Sequence, residues 1–101
     1  MSEHCIKIEV PISSEEQVRK LQALGERLEI ALDDSDIGEF DGDEYSSGHA
    51  TLYLYAPNAD ALFAVIRPIL EKEGLPSGTY ALLRYGPPND ETIKSQKISL
   101  T

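Results

Sequence analysis

Four short segments with alternating apolar residues, separated by two stretches with helical apolar spacing, predict an α+β two-layer sandwich. A length of 101 residues with 41% apolar content suits one domain spanning 1–101 with a real core. No internal repeat, low-complexity run or linker divides it.

The first segment, Cys5–Val10, sets Ile6, Ile8 and Val10 against Cys5, Lys7 and Glu9, the period of a strand, and Pro11 ends it. Ser13 and Ser14 then offer a helix cap, with Glu16 or Gln17 three residues on to complete a capping box. Val18, Leu21, Leu24, Leu28 and Leu32 form one apolar stripe with Ala31 beside it. Gly25 within that stripe costs about 1 kcal/mol relative to Ala, so something is expected to pack closely on it.

The next stretch, Gly38–Ala56, is the most informative. His49–Ala56 alternates strictly, with Ala50, Leu52, Leu54 and Ala56 on one side and His49, Thr51, Tyr53 and Tyr55 on the other. Ser46-Ser47-Gly48 supplies a turn, so Ile37–Tyr45 is expected to pair with it as a hairpin. In simple register Phe40 faces Leu54 toward the core, and Glu39, Asp41 and Asp43 lie on the outer face opposite Tyr55, Tyr53 and Thr51. A bulge at Gly42 would shift the acidic arm by one residue and reverse its faces. Burial of Phe40 beside Leu54 favours the simple register.

Asn58 is expected to cap a second helix with Asp60 in its first turn; Leu62, Val65, Ile66, Ile69 and Leu70 form its buried stripe. Pro68 removes one hydrogen bond and predicts a kink, and Gly74 predicts the stop. Thr79–Tyr85 is a fourth strand, apolar in both alternating sets, so its outer side is expected to be partly covered. A loop at Gly86-Pro87-Pro88-Asn89-Asp90 leads to Glu91–Thr101. There Ile98 and Leu100 mark either a short edge strand, blunted by Lys94 and Lys97, or a frayed tail. The order β-α-β-β-α-β with right-handed crossovers gives a ferredoxin-like sandwich, both helices on one side of a four-stranded antiparallel sheet. The other side is left open, carrying Lys7, Glu9, the acidic arm, Thr51, Tyr53 and Tyr55.

A net charge of −9 argues against nucleic acid and anionic membranes as partners and favours a basic protein, a cation or no charged partner. Asp33, Asp34 and Asp36 crowd the C-terminal end of the first helix, where the dipole is also negative. Lys7, solvent, a cation or a basic partner could relieve them, and a solvated acidic loop fits equally. Cys5 is the only cysteine, so there is no internal disulfide and no cysteine zinc cluster. No run is apolar enough to span a bilayer and MSEHCIKIEV is not a signal sequence, so a cytoplasmic protein is expected.

Specific chemistries fare poorly. Ser47–Leu54 loosely echoes the third-strand motif of RNA-recognition domains. Ser47 stands where a basic residue belongs, and His49 and Thr51 replace the two stacking aromatics. Asp33, Ser35, Gly38 and Glu44 follow calcium-loop spacing, yet Ile37 occupies a ligand position and no helix start follows Glu44. No GxSxG, phosphate-binding glycine loop or HExxH occurs, and no cofactor is implied. His49, near Tyr45 and Glu44, permits acid–base chemistry without indicating it.

The run GEFDGDEYSSGHATLYLYAPNADALFAVIRPIL resembles a small family of bacterial hypothetical proteins carrying GEFDG and then ATLYxYGPDADALF. The resemblance implies a bacterial origin and one compact domain, and brings no activity or residue roles with it. Ala56 and Asn58 stand where that pattern has Gly and Asp, which touches only the turn and the cap.

Together these features predict a non-catalytic, acidic binding or regulatory module. Its open face, through Glu39, Asp41, Asp43, Tyr53 and Tyr55, would meet a second copy (a homodimer) or a basic protein. An immunity or nuclease-inhibitor role fits the same charge logic by analogy. The rival is a small-molecule binder or enzyme with a pocket near His49.

Overall fold

The computed structural model describes residues 3–33, 35–86 and 93–101. Asp34 and the proline-containing loop at 87–90, both singled out above, lie outside them, as does Glu91. The elements are β1 (His4–Pro11), α1 (Glu15–Leu32), β2 (Glu39–Ser46), β3 (His49–Ala56), α2 (Ala59–Lys72), β4 (Tyr80–Arg84) and β5 (Ser95–Ser99). All five strands form one sheet in the order β2-β3-β1-β4-β5, each neighbouring pair antiparallel. The expected strand count of four is corrected to five. Ser95–Ser99 pairs with β4 rather than fraying, with Ile98 opposite Ala81 and packed against the core.

Local chemistry explains the helix ends. Ser14 Oγ accepts from Gln17 N–H at 3.2 Å, while Gln17 Oε1 accepts from Ser13 N–H at 2.6 Å, a reciprocal cap that satisfies two backbone donors. Asn58 Oδ1 accepts from Ala61 N–H at 3.1 Å. His4 adds a tie from β1: its Nδ1 accepts from Ala59 N–H at 2.9 Å, so a strand side chain takes up another donor of the first turn of α2. Helix α2 continues past Pro68 to Lys72; Ala64, whose carbonyl loses its bond there, is exposed to water.

The buried side chains gather in one cluster on one side of the sheet: Ile6, Ile8 and Val10 from β1, Leu52 and Leu54 from β3, Leu83 from β4, Leu24 and Leu28 from α1, Leu62 and Ile66 from α2. Both helices therefore cover the same face. Gly25 meets the ring of Phe40, whose Cζ would lie 3.0 Å from an added Cβ, which accounts for the glycine in the stripe.

The hairpin departs from the expected register. Glu39 pairs with Tyr55 and Phe40 with Leu54, as anticipated, but a bulge between Phe40 and Gly42 shifts the rest. Beyond it Gly42 pairs with Tyr53, Asp43 with Leu52, Glu44 with Thr51 and Tyr45 with Ala50. Gly42 has φ +140°, a conformation that residues with a Cβ rarely adopt, and open space where that Cβ would be. Gly38 is a glycine for the opposite reason. A Cβ there would stand 2.7 Å from the Tyr55 carbonyl oxygen and 3.0 Å from Ala56 Cβ, so the start of β2 can lie against β3 only without one.

Gly38→Ala should therefore lower unfolding stability by about 1–3 kcal/mol through overpacking against backbone, measured by urea denaturation. A change below the error of the measurement would show that β2 can draw back freely.

Candidate functional site

The face opposite the helices can be assembled strand by strand from the register. It carries Glu39, Glu44 and Ser46 from β2, His49, Thr51, Tyr53 and Tyr55 from β3, and Cys5, Lys7 and Glu9 from β1. Strand β4 adds Tyr80, Leu82 and Arg84, and β5 adds Ser95, Lys97 and Ser99. Tyr53, Tyr55, Tyr80 and Leu82 are each only half-buried there. An aromatic–apolar band thus crosses the middle of a face that no described element covers.

Of the five residues expected at this site, Glu39 and Tyr55 are on the face in the expected pairing, and Tyr53 is on the face but opposite Gly42 instead of Asp41. Asp41 is the extra residue of the bulge, and its charge still reaches Tyr55. Asp43 is corrected. It pairs with Leu52 instead of Thr51, so it turns to the helix side, where it accepts a hydrogen bond from the Tyr45 hydroxyl at 3.0 Å. Glu44 stands instead opposite Thr51, with its charge felt at Tyr53. Sequence reasoning missed Glu44 because it counted along an unbroken strand. It also passed over Tyr80, Leu82 and Lys97, although the doubly apolar pattern of β4 was the available signal.

Charge is distributed unevenly across the face. Glu39 and Glu44 line the β2 edge. Lys97 lies at the β5 edge, its ammonium 4.2 Å from the Tyr80 ring centre, and Lys7 sits 5.8 Å from that of Tyr53. Burial raises the pKa values of Tyr53 and Tyr55; Glu44 and Glu9 add to the first, Cys5 and Asp41 to the second. Burial also raises the Cys5 thiol, against the opposing pull of Lys7 and Arg84, which makes it a poor nucleophile.

His49 Nε2 lies 3.0 Å from Glu9 Oε2, and Glu9 Oε1 is buried with no hydrogen-bond partner among the described residues. Neither of the two main cavities includes His49. The larger, about 590 Å³, opens beyond the Tyr55 end of the hairpin and is walled by Glu3, Glu29, Asp33, Asp36 and Glu39. The smaller, about 140 Å³, lies between α1 and Leu75-Pro76. No group of three or more His, Cys, Asp or Glu among the described residues is arranged to hold a metal ion, and no described helix is long and apolar enough to cross a membrane.

Comparison with known proteins gives no match: no family model, curated protein or solved structure is similar to this chain at a significant level.

The Tyr45 phenol is pushed up to about 12, by burial first and then by the bond to Asp43. Because the folded value lies above the ordinary value of about 10, the folded state holds this proton more tightly than the unfolded chain. Its contribution is fully present below pH ~10 and is lost as pH rises through about 12. Tyr45→Phe should remove the highest step from the phenolate absorbance titration and flatten the alkaline fall in stability. An unaltered titration curve would show that Tyr45 is not the shielded phenol.

Proposed function

We propose that the protein is a non-catalytic binding or regulatory module whose working surface is the uncovered sheet face, and that its partner is another protein surface. The observation that carries this reading is the half-buried set Tyr53, Tyr55, Tyr80 and Leu82 on the side of the sheet away from both helices. Tyrosine offers a large apolar ring with few torsions to freeze and a hydroxyl that tolerates either solvent or contact, which suits an interface. The carboxylates at the β2 edge disfavour a polyanionic partner. The same reading takes the architecture as a ferredoxin-like arrangement extended by one edge strand, supported by the chain order of the first six elements and the central position of β1.

A ligand site around His49 finds less support. The imidazole is already engaged by Glu9, and no described cavity opens beside it.

Tyr53→Ala combined with Tyr55→Ala tests the proposal, since both rings lie away from the core and can be removed without opening it. The pair should weaken association, measured by sedimentation with itself and by titration against any captured partner, at least tenfold. Arg19→Ala with Glu26→Ala on the exposed side of α1 should leave it unchanged. Association indifferent to the tyrosines, or equally sensitive to α1, would refute the proposal.

A further inference from the structure

We infer that the occupant of this face is a second copy of the same chain, laid face to face about a two-fold axis parallel to the strands. The inference rests on the reading of the face as a protein-binding surface and specifies its partner.

The distribution of charge carries it. Glu39 and Glu44 project from β2 at one edge, and Lys97 from β5 at the other, with Lys7 on the middle strand. None of these four forms an ion pair among the described residues; the two lysines rest over tyrosine rings. They cannot neutralise one another within the chain from edge to edge. Strands lie about 4.8 Å apart, so β2 and β5, at positions one and five of the sheet, are separated by roughly 19 Å. A partner of a single sign does not suit the face either: a basic surface meets Lys97 and Lys7, and an acidic one meets Glu39 and Glu44. A surface split in the opposite sense does suit it, and the chain itself presents one.

Two copies can be stacked face to face about an axis across the strands or along them. An axis across the strands lays β2 on β2 and β5 on β5, like charge on like. An axis along them lays β2 of each copy over β5 of the other, with Lys97 over Gly42 and the Glu39 and Glu44 carboxylates one same-face step to either side of it, twice by symmetry. The same rotation brings Tyr53 of one copy over Leu82 of the other, and Tyr80 over Thr51, in an aligned sheet packing. Strand β1, the middle of five, lies nearest the axis. There Lys7 leans over Tyr53 and Glu9 is paired with His49, so neither charge is presented bare to its own copy.

Charge exchange tests this arrangement. Glu44 and Lys97 are exposed and outside the core, so each can be reversed without disturbing the fold. The unaltered chain should sediment as a dimer. Glu44→Lys alone and Lys97→Glu alone should each weaken the dimer roughly tenfold or more, because symmetry reverses two contacts at once. Mixing the two variants should restore a heterodimer, and the double variant Glu44→Lys/Lys97→Glu should restore the homodimer. A monomeric unaltered chain overturns the inference, and so does a dimer indifferent to both reversals or a pair of defects that the mixture does not repair. If the dimer ignores the charges yet is lost with the paired alanine substitutions at Tyr53 and Tyr55, the axis is wrong and the binding face stands. If neither set matters, both readings fall.

Discussion

A parity constraint in β2 governs the rest of the structure. Phe40 and Tyr45 both pack against the core, yet they are five residues apart. Side chains on a regular strand alternate faces, so an odd separation would send one of them to solvent. One extra residue between Phe40 and Gly42 restores the match, and Gly42 supplies the positive φ that the irregularity demands. The reward is that both rings are sheltered on the helix side. The consequence is that every residue after the bulge changes sides, which turns Asp43 inward to Tyr45 and turns Glu44 outward to Thr51.

That single shift separates what could be read from the sequence from what could not. The strands β1 and β3, the stripes of both helices and the caps at Ser14 and Asn58 were legible because each depends on spacing within a short window. The hairpin turn and the pairing of Phe40 with Leu54 were legible for the same reason. The register beyond Gly42 was not, because burial of Phe40 alone fits either alignment. Tyr45 was the missing clue: including it with Phe40 in one buried set requires the bulge. The last strand was undetermined because its single inward apolar residue, Ile98, gains its meaning only from pairing opposite Ala81.

The bulge also decides the character of the exposed face. With Asp43 outside, the β2 edge would carry Glu39, Asp41 and Asp43 directly opposite Tyr55, Tyr53 and Thr51. With Glu44 there instead, a longer side chain stands beside Tyr53 and the Asp41 charge is carried in the irregular turn of backbone near Tyr55. At the far edge, Lys97 covers Tyr80. The face is consequently polar at its margins, opposite in sign from side to side, and apolar through the middle, the distribution on which the proposed interface rests.

The account rests most directly on which carboxylate faces Thr51. Cross-strand backbone-proton contacts in a nuclear Overhauser spectrum, α-proton to α-proton at one pair and amide to amide at the next, read this pairing without any substitution. The structure requires Glu44 to be opposite Thr51 and Tyr45 opposite Ala50, with Phe40 still opposite Leu54. Contacts joining Asp43 to Thr51 and Asp41 to Tyr53 would mean a regular strand, and the face described above would not exist.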